Sequence, residues 1–65
     1  MKLEIVYFMG KNETGREAFS GSITDARDHG KVAVDSGLAE RIEVQDEAGS
    51  VVAHWPRLLK AGLNA

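Results

Sequence analysis

The segment Arg41–Trp55 constrains the fold most, because it consists of two alternating polar and apolar runs around the turn sequence Asp46–Gly49. This pattern is typical of a β-hairpin. Gly49 can adopt the positive φ that a type I turn with a bulge requires, so the turn should fix the register of strands Glu40–Asp46 and Ser50–Trp55. The expected cross-strand pairs are Asp46 with Ser50, Val44 with Val52, and Ile42 with His54.

The N-terminal part of the chain predicts a second hairpin. Leu3–Met9 is rich in β-branched and aromatic residues and is followed by a glycine, as expected for a strand. The segment Asn12–Gly15 has the same turn chemistry as Asp46–Gly49 in the C-terminal hairpin. Arg16–Ser20 is therefore expected to fold back as a short strand. In that register Met9 lies opposite Phe19.

Between the two hairpins the sequence predicts a helix over Ile23–Ser36. Ser22 is a good N-cap, and an acidic residue, Asp25, follows three positions later. Gly37 is a natural C-terminal stop. Small residues recur on the expected inward side of this helix, which allows a close approach to a sheet.

Length and composition limit what the chain can be. The 65 residues are expected to form one domain, 1–65, which at this size buries only about 60% of its unfolded surface. No cysteine is available for a disulfide, and the net charge of −2 does not indicate a nucleic-acid tail. Oligomerisation is then the remaining common route to stability. No targeting segment or membrane span is predicted, so a cytoplasmic location is expected.

The predicted fold is α+β: an antiparallel sheet of three or four strands with one main helix packed on one face. A short C-terminal helical segment, Arg57–Leu63, is expected to follow Pro56. One helix can cover only one face of so small a sheet. The predicted register leaves a second apolar face, and two tail leucines are expected at its rim. The predicted interface residues are Val6, Phe8, Val51, Ala53, Trp55, Leu58 and Leu59.

This second face predicts a small interaction module that self-associates, most simply as a homodimer. Trp55 is its expected hot spot. An alternative from another class is nucleic-acid binding, because the predicted register places Arg41 opposite Trp55 in a geometry suited to stacking. Interface packing is favoured, since the same predicted face carries Glu43 and Gln45 and lacks an excess of basic residues.

Catalytic and metal-binding motifs are not found in the sequence. His29 follows Asp25 by one helical turn, but no third ligand is suitably spaced for a metal. His54 is expected at the margin of the core without a nucleophile or carboxylate partner. We therefore expect no enzyme, no cofactor and no metal.

The order of elements resembles that of a group of short bacterial β-(β)-α-β-β proteins of unknown function. The resemblance is carried by the aromatic pair Tyr7-Phe8, by Ala26 with Ala33 in the helix, and by the strand–turn–strand segment Val44–Val52. The Trp55-Pro56 ending departs from that pattern. The resemblance implies the same fold and adds no activity.

Overall fold

The computed structural model describes residues 1–56. The predicted α+β class is confirmed: in this part of the chain four antiparallel strands and one helix form the fold. The predicted helical segment at 57–63, with Leu58 and Leu59, lies outside the described residues. The elements are β1 (Lys2–Met9), β2 (Asn12–Ser20), α1 (Ile23–Asp35), β3 (Arg41–Gln45) and β4 (Val51–Trp55). The sheet order is β2-β1-β3-β4, so β2 and β4 form its two edges.

The first hairpin turns earlier than predicted. Strands β1 and β2 are joined by Gly10 and Lys11, and Gly10 has a φ of 62°, which a two-residue hairpin turn accepts when glycine comes first. The predicted turn residues Asn12–Gly15 therefore lie within β2. Phe19 pairs with Leu3 and not with Met9, so the predicted register is wrong.

The helix follows its prediction closely. The Ser22 hydroxyl accepts a hydrogen bond from the Asp25 backbone N–H at 3.0 Å and caps the first turn. At the other end Gly37 has a φ of 83°, and the Leu38 N–H donates to the Ala33 carbonyl at 2.8 Å. This pattern satisfies the last carbonyls and ends the helix.

The second hairpin has the predicted turn but not the predicted pairing. The Asp46 N–H donates to the Ser50 carbonyl at 3.0 Å, and Gly49 has a φ of 85°. Beyond the turn, a bulge adds one residue to β4, and Val52 is left between two pairs. The observed pairs are Gln45 with Val51, Val44 with Ala53, Glu43 with His54, and Ile42 with Trp55.

This single extra residue inverts the end of β4. Side chains alternate between the faces of a strand, so a shift by one position moves each following side chain to the other face. The prediction that Ala53 and Trp55 lie opposite the core face is therefore wrong, because both pack against the core beside Val44 and Ile42. The prediction that His54 pairs with Ile42 is wrong for the same reason.

The core lies between α1 and the sheet face formed by β1, β3 and β4. It is made entirely of apolar side chains. Its buried members are Leu3, Ile5, Ala26, Ala39, Ile42 and Val44. Because α1 packs mainly on these three strands, it leaves the helix-side face of β2 more open, where half-buried Phe19 packs at the margin of the core.

Gly30 sets the distance between the helix and the sheet. It is buried, and a Cβ atom at this position would lie 2.9 Å from the Ile42 side chain and 3.1 Å from the Ile5 side chain. Both isoleucines are fully buried and have little room to move. The helix therefore rests on the sheet through a residue without a side chain.

We expect Gly30→Ala to lower the free energy of unfolding by about 1–2 kcal/mol, because overpacking outweighs the gain in helix propensity. Gly15→Ala is the matched control, since nothing lies within 4 Å of its added methyl group. Urea denaturation followed by circular dichroism measures both variants. A Gly30→Ala variant as stable as the wild type would contradict the close packing.

Candidate interaction surface

Trp55 is part of the helix-side packing of the sheet. It pairs with Ile42 and packs against the core, and two cationic side chains of α1 lie near its ring. The Lys31 Nζ is 4.9 Å and the Arg27 Cζ is 6.0 Å from the ring centroid. The indole therefore stabilises the contact between α1 and β4, and cation–π attraction adds to this contact.

The opposite face of the sheet, which no described helix covers, carries ion pairs where an apolar patch was predicted. Arg16 lies 2.7 Å from Glu4 and 2.8 Å from Glu13, measured between charged side-chain atoms. Arg41 lies 2.9 Å from Glu43 in the same sense. We call this surface the charged face; its members by register are Lys2, Glu4, Val6, Phe8, Glu13, Arg16, Ala18, Ser20, Arg41, Glu43, Gln45, Val51 and His54.

The two large apolar side chains at the centre of the charged face, Val6 and Phe8, are shielded by their neighbours, whereas Val51 at its β4 edge is exposed. Val6 is 0% exposed although it is not part of the core under α1. Its pairing partners are Arg16 and Glu43, whose ion pairs flank it on both sides. Phe8 is half-buried, and the Arg41 guanidinium lies 4.0 Å from its ring centroid.

The predicted five-residue apolar face does not exist as one surface. Val6 is buried, Phe8 is covered by a guanidinium, and Ala53 and Trp55 belong to the helix side. Val51 is the member that stays well exposed, at 50%. Self-association itself stays a prediction, but it needs a different surface.

The predicted Arg41–Trp55 platform is also wrong. Arg41 lies opposite Phe8 on the charged face, whereas Trp55 lies on the helix side. The two side chains therefore cannot stack on the same base. Nucleic-acid binding stays a prediction, without this combined site.

The two edges of the sheet differ in how they are protected. Edge strands present unpaired backbone groups, and natural proteins commonly guard them with charged side chains. Strand β2 has such guards in Glu13, Arg16 and Glu17. Strand β4 has no Asp, Glu, Lys or Arg, and it exposes Val51 and Val52. Among the described strands, β4 is the edge without charged side chains; its protection is limited to the bulge at Val52 and the proline that follows the strand, Pro56.

A concavity of about 410 Å³ lies along β4. It is lined by Arg27 of α1 and by the four β4 residues Val51–His54. The Arg27 Nε is buried and has no hydrogen-bond partner within residues 1–56. The Asp28 carboxylate is 3.8 Å from the Arg27 guanidinium and 61% exposed, so it neutralises this cation poorly.

A second polar cluster joins α1 to β2. The Tyr7 hydroxyl donates to a Glu17 carboxylate oxygen at 2.7 Å, and the His29 Nε2 lies 3.3 Å from the same oxygen. The His29 ring also lies 5.4 Å from the Phe19 ring. Burial, and then the hydrogen bond to Glu17, raise the pKa of Tyr7 to about 12, and the same hydrogen bond lowers the pKa of Glu17.

The sequence analysis did not predict this cluster, because it placed Asp25, and not Glu17, as the carboxylate near His29. The observed carboxylate comes from β2, because the true register pairs Ile5 with Glu17 and so makes Glu17 a diagonal neighbour of Tyr7. A prediction of the β1–β2 turn at Gly10 and Lys11 would have placed Glu17 next to Tyr7. The Glu17 carboxylate connects three elements: it accepts a hydrogen bond from Tyr7 of β1 and contacts His29 of α1.

The chain has one tyrosine, so its titration can be followed directly by the absorbance of tyrosinate. We expect a midpoint near 12, and Glu17→Gln should lower it only part of the way to 10, since burial is the larger cause. The Tyr7 pKa is raised in the folded state, so its stabilising contribution is present below pH 10 and lost as the pH rises through 12. Glu47→Gln, in the turn between β3 and β4, is the control and should leave the midpoint unchanged. A midpoint of 10 in the wild type would contradict the burial of Tyr7 and its hydrogen bond to Glu17.

We expect Trp55→Ala to lower the free energy of unfolding by about 2–3 kcal/mol, because it removes packing against Ile42 and α1. Met9→Ala, at an exposed position, is the control and should change stability by less than about 1 kcal/mol. Chemical denaturation of the two variants at low protein concentration measures the effect. An unchanged Trp55→Ala variant would contradict the placement of the indole on the helix side.

Comparisons with known proteins do not assign this chain to a family. No protein-family model, curated protein or solved structure matches this chain. Within residues 1–56, no helix is long and apolar enough to cross a membrane, and no group of three or more His, Cys, Asp or Glu side chains is placed to hold a metal. The resemblance to short bacterial proteins stays a prediction.

Proposed function

We propose that this chain is a small protein-interaction module that binds an extended polypeptide segment along the outer edge of β4. The main supporting observation is that this edge carries no charged side chain and exposes two β-branched residues, Val51 by 50% and Val52 by 37%. An incoming strand would pair with the free backbone groups of β4 and cover these valines. Main-chain hydrogen bonds would supply affinity, and alternate side chains would supply specificity.

The other surfaces support this choice by contrast. On the charged face the arginines are paired with carboxylates and Val6 is buried, so its exposed aliphatic area is concentrated at Val51, next to the β4 edge. The β2 edge bears charged side chains that oppose strand addition. The predicted homodimer is one form of this proposal, in which the bound segment is β4 of a second copy. Two β4 strands can pair around a twofold axis.

The proposal predicts that peptides selected from a random dodecapeptide phage library on the full chain will be rich in alternating β-branched residues. A synthetic selected peptide should bind Val52→Glu at least about tenfold more weakly, because a carboxylate at the edge disfavours pairing. Val32→Glu is the matched control: this valine is 67% exposed on α1, and its variant should bind like the wild type. Fluorescence anisotropy measures the affinities, and Val51→Glu replaces Val52→Glu if the latter does not fold.

Strand addition has a further signature in the peptide backbone. Methylating one peptide nitrogen at a time should abolish binding at every second position and leave the positions between them unaffected, since only alternate N–H groups face β4. Peptides that bind Val52→Glu normally, or a methylation scan without this alternation, would overturn the proposal. A wild-type dimer that Val52→Glu dissociates in sedimentation would support the β4 edge with a second copy as its partner.

A further inference from the structure

The edge of β4 is bordered by positive charge on its helix side. Arg27 lines the concavity along β4, and Lys31 stands over the Trp55 ring. Within residues 1–56 no carboxylate lies closer to the Arg27 guanidinium than Asp28, at 3.8 Å. A partner strand lying along β4 would thus run beside a cation whose one described ion pair, with Asp28, is long and exposed.

From this we infer that the segment bound at β4 carries an Asp or Glu side chain, which pairs with Arg27. The inference rests on the proposed function and specifies the chemistry of its partner. A planar guanidinium can bind a carboxylate through two parallel hydrogen bonds, and the Arg27 side chain is 39% exposed, so part of it is accessible to an incoming carboxylate. The pairing would take place in a partly enclosed site, where it is less screened than on an open surface.

The same charges argue against the other occupants. In a twofold pair of β4 strands both helices lie on one face of the joined sheet, so the cationic flanks, Arg27 with Lys31, approach each other. The C-terminal sequence 57–65 contains Arg57 and Lys60 and no Asp or Glu, so its side chains do not complement Arg27 either. An acidic segment of another protein fits the charge best.

The test uses the peptides selected on the full chain. Acidic residues should be enriched at one position among them, and Arg27→Gln should weaken the best acidic peptide by about fivefold to tenfold. The peptide's own Glu→Gln version should bind the wild type and Arg27→Gln equally, which isolates the pair. Lys11→Gln, in the β1–β2 turn, removes the same charge elsewhere and should have no effect.

The outcomes separate this inference from the proposed function. Peptides that lack acidic residues, or whose affinity does not change in Arg27→Gln, overturn the inference while their sensitivity to Val52→Glu upholds strand addition. If the affinity changes neither in Arg27→Gln nor in Val52→Glu, both the acidic partner and strand addition at β4 are overturned. A dimer through β4 that excludes every peptide, or a single-stranded oligonucleotide that displaces the acidic peptide, also overturns the acidic segment as the occupant.

Discussion

The bulge at Val52 decides the character of both sheet faces. By adding one residue to β4 it directs Trp55 toward α1, where the indole enlarges a core that would otherwise be small for a chain of this length. The same shift directs His54 to the other face, opposite Glu43, and removes from that face Ala53 and Trp55, which an unbulged pairing would place there. Core size and surface polarity thus depend on one local irregularity.

Much of the architecture could be predicted because it depends on short-range signals. The Ser22 cap, the glycine after the helix and the Asp46–Gly49 turn each act over a few residues, and each lies where the sequence indicates. The small residues of α1 were predicted to allow a close approach to the sheet, and Gly30 does so, since it packs directly against Ile42 and Ile5. The limits of the helix and of β1, β3 and β4 were accordingly within one residue of those expected, whereas β2 begins four residues earlier than the expected Arg16.

Register was not predictable to the same degree, and the sites depend on it. Nothing in the sequence of β4 distinguishes a regular strand from a bulged one, because valine at position 52 suits both. The first turn was missed since Asn12–Gly15 matches turn chemistry better than Gly10 with Lys11 does. As a result the Glu17 partner of His29, and the place of Trp55, emerged only from the three-dimensional pairing.

The unequal protection of the two edges has a consequence for the size of any assembly. With charged residues along β2 and an accessible β4, each chain offers one line of backbone groups for pairing. A module with one such line is monovalent: once it is occupied, growth stops at a closed pair. Sheets that remain open at both sides can instead propagate into fibres. In an assembly built by strand pairing at β4, the charged side chains of β2 would therefore limit the number of chains that can join.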